Sequence, residues 1–118
     1  MFENELDRLR YLLNDAKIPY EDIKEEVPER ERMLYPDYFE LHNNKYRRNQ
    51  IIYGRMEDGN WKLDGICQLG SYGCAQGLIE TYGELGTDAE GDPLVLTADE
   101  VFQIIKEDWE RSNDGFIF

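Results

Sequence analysis

Apolar residues recur at helical spacing at the start of the chain. They lie three or four positions apart and form one stripe of Phe2, Leu6, Leu9, Leu12 and Leu13. Charged side chains occupy the opposite side. Proline disfavours the helical conformation in the residue before it, so the helix is predicted to end before Pro19.

The middle of the chain carries strand patterns instead. Residues 20–27 alternate loosely and are acidic, which favours an edge strand, and the charged residues 28–32 are predicted to be a connector. Further strands are predicted at 38–42, 50–56 and 61–69, joined by turns at Asn43, Asn44 and Lys45 and at Asp58 and Gly59. These segments predict an antiparallel meander of three or four strands.

Two helices are predicted after the meander. The first follows Gly73 and ends near Leu85, with Gly86 as its stop, although Gly77 and Gly83 each weaken a helix by about 1 kcal/mol. An acidic loop over 86–93 follows. The second helix begins with a capping box and a hydrophobic staple, and its buried stripe comprises Val101, Phe102, Ile105 and Trp109.

The capping box pairs Thr97 with Glu100, and the staple pairs Leu96 with Val101. The fold class is therefore predicted to be α+β: an N-terminal helix, a three- to four-stranded antiparallel meander, and two C-terminal helices packed on the sheet. The chain has 118 residues, which predicts a single domain over 1–118.

Charge is distributed unevenly along the chain. The formal net charge is −13, of which −3 falls in residues 1–62 and −10 in residues 63–118. Such a surface repels phosphate backbones, so direct nucleic-acid binding is disfavoured, and a partner with a basic surface or with a basic groove that normally holds nucleic acid is favoured. Acidity that serves solubility alone is the alternative. The predicted partner-binding acids are Asp88, Glu90, Asp92, Glu107, Asp108 and Glu110.

The two cysteines indicate no disulfide scaffold. Cys67 and Cys74 are predicted to be reduced thiols in a cytoplasmic protein, because the sequence shows neither a leader peptide nor a membrane span. Cys67 has only His42 as a candidate base, so it is expected to be an inert core thiol. No catalytic residue and no cofactor are expected.

The turn at Gly70, Ser71, Tyr72 and Gly73 is the main candidate for ligand binding. Outward-pointing amides before a helix can hold an anion, and the tyrosine ring could stack on a base. The alternative is a strand-to-helix connector, because no Lys or Arg follows the second glycine as in a P-loop. Only the basic cluster of Lys45, Arg47, Arg48 and Arg55 could supply charge to a ligand there.

No metal site is expected. Asp88, Glu90, Asp92 and Asp99 match positions 1, 3, 5 and 12 of a calcium loop, but Pro93 stands where that loop needs glycine.

Three blocks resemble a family of small proteins encoded by phages and prophages of Gram-positive bacteria. They are LDRLRYLLNDAKIPYE, the strand followed by GSYG and the helix LIETYGEL, and LTADEVFQIIK after an acidic linker. Family members carry charged residues directly after GSYG, where this chain has Cys74, Ala75 and Gln76. The resemblance implies a phage accessory product that acts inside a bacterial host, and it carries no activity.

These observations predict a non-enzymatic phage accessory protein that binds and inhibits or modulates a host defence protein with a nucleic-acid groove. One alternative is a small-ligand binder that sequesters a nucleotide signal at residues 70–73, with Arg47, Arg48 or Arg55 neutralising its charge. Another is a minor virion or packaging component. A homodimer is expected if the apolar residues Phe116, Ile117 and Phe118 are exposed.

Overall fold

The computed structural model describes residues 4–42, 44–73 and 76–114. Within these ranges the chain forms four helices and five strands, which confirms the α+β class. The helices are α1 (Glu5–Asp15), α2 (Glu29–Leu34), α3 (Pro36–His42) and α4 (Ala98–Asp114). The strands are β1 (Glu21–Glu26), β2 (Tyr46–Arg55), β3 (Trp61–Ile66), β4 (Ile79–Tyr82) and β5 (Leu94–Leu96).

The five strands form one antiparallel meander in the order β1-β2-β3-β4-β5. In the β2–β3 pair, Ile51 lies opposite Gly65 and Tyr53 opposite Leu63. Because side chains alternate between the two faces of a strand, these apolar residues share one face. The sheet therefore presents a continuous apolar surface to the helices.

The core lies between that face and the helices α1 and α4, which pack against each other. The sheet contributes side chains such as Ile51, Leu63 and Ile79, all fully buried. Both helices turn most of their predicted stripe to the core, with Leu6, Leu9 and Leu13 of α1 and Val101 and Ile105 of α4 fully buried and Leu12, Phe102 and Trp109 partly buried; Phe2 lies outside the described residues.

The predicted ends of these two helices are also confirmed. The chain leaves α1 before Pro19, with Lys17 in the left-handed conformation at φ 59°. At the start of α4 the Thr97 amide donates to Glu100 Oε1 (3.1 Å), and the Glu100 amide donates to Thr97 Oγ1 (3.3 Å). This reciprocal pair is the predicted capping box.

The expectations for residues 28–42 were wrong. The predicted connector at 28–32 forms most of α2, and the predicted strand at 38–42 belongs to α3. Pro28 and Pro36 sit at the N-cap of α2 and at the first position of α3, where the fixed φ of proline favours a helix and its missing N–H costs nothing. The turn at 43–45 therefore joins a helix to β2 and is not a hairpin turn; Asn43 itself lies outside the described residues.

The helix predicted after Gly73 was also wrong, because its second half forms β4 and only one C-terminal helix exists within the described ranges. Gly77 and Gly83 flank the strand with φ of 78° and 91°, which a helix does not permit. Gly86 closes a turn, its amide donating to the Gly83 carbonyl (3.0 Å). Cys74, Phe116, Ile117 and Phe118 lie outside the described residues.

Two strand boundaries differ from the predicted ones. The strand β2 begins at Tyr46, four residues before the expected Gln50, and β3 ends at Ile66. Residues 67–69 still follow β2, since the Cys67 amide donates to the Asn49 carbonyl and the Leu69 amide to the Tyr46 carbonyl, both at 3.0 Å. None of the described helices combines the length and the apolar character that a membrane crossing requires.

A strand end and a helix interior at Gly83 predict opposite effects of an alanine substitution on the free energy of unfolding. A Cβ at this position would lie 2.6 Å from the Lys62 carbonyl oxygen. Gly83→Ala is therefore expected to lower the free energy of unfolding in urea by roughly 3 kcal/mol, through this overlap and the positive φ.

Gly59→Ala is the matched control, because Gly59 has φ 87° and open space around its Cβ position. Its expected cost is only about 1 kcal/mol. A Gly83→Ala protein more stable than the wild type, as for alanine in a helix interior, would contradict the strand.

Candidate functional site

The glycine turn at 70–73 is a tight corner between β3 and β4. Gly70 and Gly73 have φ of 87° and 76°, so both occupy conformations that favour glycine. The Ser71 hydroxyl accepts from the Gln68 amide (3.0 Å) and donates to the Gln68 carbonyl (2.7 Å). The only hydroxyl proposed for ligand binding is thus engaged inside the turn.

The turn is already occupied by a carboxyl group of the chain itself, that of Glu80 from β4. The Tyr72 amide donates to Glu80 Oε2 (3.2 Å), and the Tyr82 hydroxyl donates to Glu80 Oε1 (2.9 Å). Glu80 is 3% exposed. Burial and the contact with Glu80 raise the pKa of Tyr82. A phosphate at this corner would meet a buried carboxylate.

The arginines expected to cover the turn have other partners. Arg47 pairs with Glu25 (3.2 Å) and Glu31 (3.1 Å), on the β1 side of β2, and Arg48 donates to Gln50 Oε1 (3.0 Å). Neither makes a hydrogen bond or ion pair with residues 70–73 among the described contacts.

Arg55 lies at the opposite end of β2, eight residues from Arg47 and roughly 26 Å along the strand. Its guanidinium binds both carboxylate oxygens of Glu21 (2.8 and 3.0 Å) and lies 5.3 Å from the ring centroid of Trp61. The structure therefore does not assemble the predicted cluster of four turn residues and three arginines.

A second buried carboxylate lies on the same sheet face as Glu80. Asp64 is 8% exposed and accepts a hydrogen bond from Gln50 Nε2 (2.7 Å). Burial raises the pKa of Asp64, although the Gln50 contact and the charge of Arg48 oppose it. The helix predicted for residues 74–85 concealed this arrangement; the signal for it was a short β-branched segment between Gly77 and Gly83.

Most of the predicted partner-binding acids lie on the surface. Asp88, Glu90 and Asp92 lie exposed in the β4–β5 loop, and Glu107 and Glu110 lie exposed on α4. Asp88 also shapes the loop, because its Oδ1 accepts the amides of Glu90 and Asp92 (both 3.0 Å). No group of His, Cys, Asp or Glu side chains in the described ranges is placed to hold a metal ion.

Asp108 does not belong to this surface, which corrects the prediction. Its Oδ2 accepts hydrogen bonds from the Tyr53 hydroxyl (2.7 Å) and from Lys62 Nζ (3.0 Å). Burial opposes the charge of Asp108, but these two donors outweigh it and lower the pKa of the carboxyl. Asp108 therefore joins α4 to β2 and β3.

Beside this contact lies a cavity of about 410 Å³, which sequence patterns gave no reason to expect. Its walls come from β2, β3, α4 and the α1–β1 connection, and include Pro19, Tyr20, Ile52, Tyr53 and Trp109. The charged groups at the cavity, Lys62, Arg55 and Glu21, each form an ion pair. Cys67 is separate from the cavity and lies buried in the core.

Comparisons of this chain with protein-family models, with curated proteins and with solved structures found no match. The site is therefore interpreted from its own geometry.

The contact between Tyr53 and Asp108 predicts a defined pH dependence of stability. Burial and then the hydrogen bond to Asp108 raise the pKa of Tyr53. Its contribution to the free energy of unfolding is complete below the pKa of an unfolded tyrosine, about 10, and declines above it because the unfolded state ionises first.

We therefore expect Tyr53→Phe to cost about 2 kcal/mol at neutral pH. Above about pH 10 this cost should shrink by up to 1.4 kcal/mol per pH unit, measured by urea unfolding between pH 7 and 11. Tyr72→Phe, which alters an exposed ring, should follow the wild type throughout. A Tyr53→Phe cost that is constant with pH would show that the hydroxyl is not held neutral.

Proposed function

We propose that this chain is a non-enzymatic phage accessory protein that binds and inhibits or modulates a host protein with a basic nucleic-acid groove. The observation that carries the proposal is a group of exposed carboxylates without compensating cations, which we name the acidic surface. Its members form no ion pair with any residue in the described ranges: Glu84, Asp88, Glu90, Asp92 and Glu107.

The acids around β1 behave differently, because most of them are paired with a nearby cation. Glu21 pairs with Arg55, Glu25 with Arg47, and Glu26 with Lys45. These exposed pairs contribute little to stability, but they cancel charge locally. The exposed acids of β1 are thereby largely neutralised, whereas those of the β4–β5 loop and Glu107 on α4 are not.

The two parts of the acidic surface lie at the same end of the molecule. The amide of Leu85, where the β4–β5 loop begins, donates to the Lys62 carbonyl (2.9 Å), and Lys62 Nζ binds Asp108 on α4 (3.0 Å). Lys62 thus contacts both the β4–β5 loop and Asp108 of α4, and Glu107 is the residue next to Asp108. This proximity supports one continuous binding surface.

The chemistry of the partner follows from this charge. A groove that binds nucleic acid carries Lys and Arg side chains that attract anions over several ångströms and lose much of that attraction as salt rises. Uncompensated carboxylates can occupy such a groove in place of phosphates. The resemblance to phage-encoded proteins supports a bacterial host protein as the partner.

Binding to a panel of purified bacterial DNA- and RNA-binding proteins tests the proposal. At least one should bind the chain with a dissociation constant that rises steeply with ionic strength, and duplex DNA or RNA should compete. Glu90→Gln with Asp92→Asn should weaken this binding about tenfold, mainly by slowing association.

The control changes two exposed acids elsewhere, Asp15→Asn with Glu29→Gln, and lowers the net charge equally. It should leave the dissociation constant within about twofold. Equal weakening by both variants would show that total charge, and not the acidic surface, governs binding. Absence of salt-sensitive binding across the panel would refute the proposal.

A further inference from the structure

The two short helices between β1 and β2 carry an exposed apolar surface. Its five large side chains lie within nine consecutive residues, and we name them the α2–α3 patch: Met33 (73% exposed), Leu34 (69%), Tyr35 (64%), Tyr38 (46%) and Leu41 (76%). Single exposed apolar residues are ordinary, but five large ones within nine residues, on two short helices that contact each other, are a candidate interaction site.

These helices receive little support from the rest of the protein. They have six and seven residues, well below the length at which an isolated helix is stable in water. No residue of α2 is buried. Its described polar contacts to the body are the Arg32 Nε bond to the Val27 carbonyl (3.0 Å) and the Glu31–Arg47 pair. An apolar surface on such helices gains stability when a partner covers it.

The area of the patch matches what a protein interface needs. Side chains of this size carry about 150–250 Å² each, so at the exposures above they present on the order of 700 Å². A standard interface buries roughly 800 Å² on each partner. Two such patches facing each other would bury up to about 1,400 Å² in total, within the range of roughly 1,200–2,000 Å² that stable interfaces bury.

The position of the patch favours a second copy of this chain. The α2 helix follows Glu26, which lies opposite Tyr46 at the start of β2, whereas the acidic surface lies near Lys62 and the far end of β2. A ten-residue strand separates these ends by roughly 30 Å, nearly four Debye lengths at physiological salt. Two copies can therefore meet at the patch while their acidic surfaces stay far apart.

The charged side chains on α2 and α3 include both signs, with acids outnumbering bases. Glu31 and Arg32 are already engaged, which leaves Arg30 beside Glu29 on α2, and Asp37 and Glu40 on α3. A twofold axis that places α2 against α3 of the second copy brings Arg30 toward Asp37 and Glu40, twice per interface.

We propose that this chain forms a twofold-symmetric homodimer through the α2–α3 patch, with α2 of each copy against α3 of the other. The dimer would present two acidic surfaces facing outward. The dimer goes beyond the proposed function, and the two proposals do not depend on each other.

Sedimentation and light scattering across the micromolar range test the dimer directly. The wild type should change from monomer to dimer as concentration rises. Leu34→Lys and Leu41→Lys should each raise the dissociation constant at least tenfold while leaving the circular dichroism unchanged. Lysine reduces the net negative charge, so increased repulsion between copies cannot explain a loss of dimer.

Val95→Lys is the matched control, because it places the same charge at an exposed apolar residue on β5, outside the patch. It should dimerise like the wild type. A wild type that remains monomeric at all concentrations, or a dimer that tolerates both patch substitutions, would overturn the proposal. Binding of a nucleic-acid-binding protein by these variants would continue to report on the acidic surface alone.

A charge exchange tests the arrangement of the helices. Arg30→Glu places like charges across the interface, and so does Asp37→Lys with Glu40→Lys. Each variant alone should be largely monomeric, whereas an equimolar mixture should form a heterodimer because both contacts are then attractive. A mixture that stays monomeric, or single variants that dimerise like the wild type, would refute the pairing of α2 with α3.

Discussion

The packing of α1 and α4 on one face of the meander is the constraint on which the rest of the molecule depends. Two polar contacts set the position of the helix pair. The Glu5 amide donates to the Gly77 carbonyl (2.9 Å), and Glu5 Oε1 accepts the Ala98 amide (3.0 Å). One residue of α1 thereby holds both the entrance to β4 and the start of α4. The sheet register follows, because a one-residue shift would turn the apolar side chains away from the helices.

Sequence patterns predicted those parts of the fold whose signals are local. The stripes of α1 and α4, the capping box at Thr97 and the turn at Gly59 all depend on residues a few positions apart. The prediction for the segment after Gly73 was wrong because Leu78, Tyr82 and Leu85 are spaced as on one face of a helix. The pairing with β3 that makes part of this segment a strand involves residues distant in sequence. The helices α2 and α3 were not predicted because they have only six and seven residues, too few for the recurring apolar stripe that identified α1 and α4.

The candidate site divides in the same way. Exposed acids in a loop can be identified from the sequence, since runs of Asp and Glu without cations rarely lie inside a protein. Acids that are instead held by contacts within the fold cannot be identified from the sequence. Asp108 lies in sequence between the exposed Glu107 and Glu110, yet it is held by Tyr53 and Lys62, and Glu80 is held by the Tyr72 amide. Only the three-dimensional fold distinguishes a carboxylate that is free to bind a partner from one that joins two elements.

The edges of the sheet limit how the molecule can aggregate. An open edge strand offers unpaired amides and carbonyls, and similar strands can add to it without end. Here one edge is β1, whose sequence EDIKEE carries five charges in six residues, and the other is β5, only three residues long. Both features oppose edge-to-edge polymerisation. Growth into fibres through the sheet edges is therefore disfavoured.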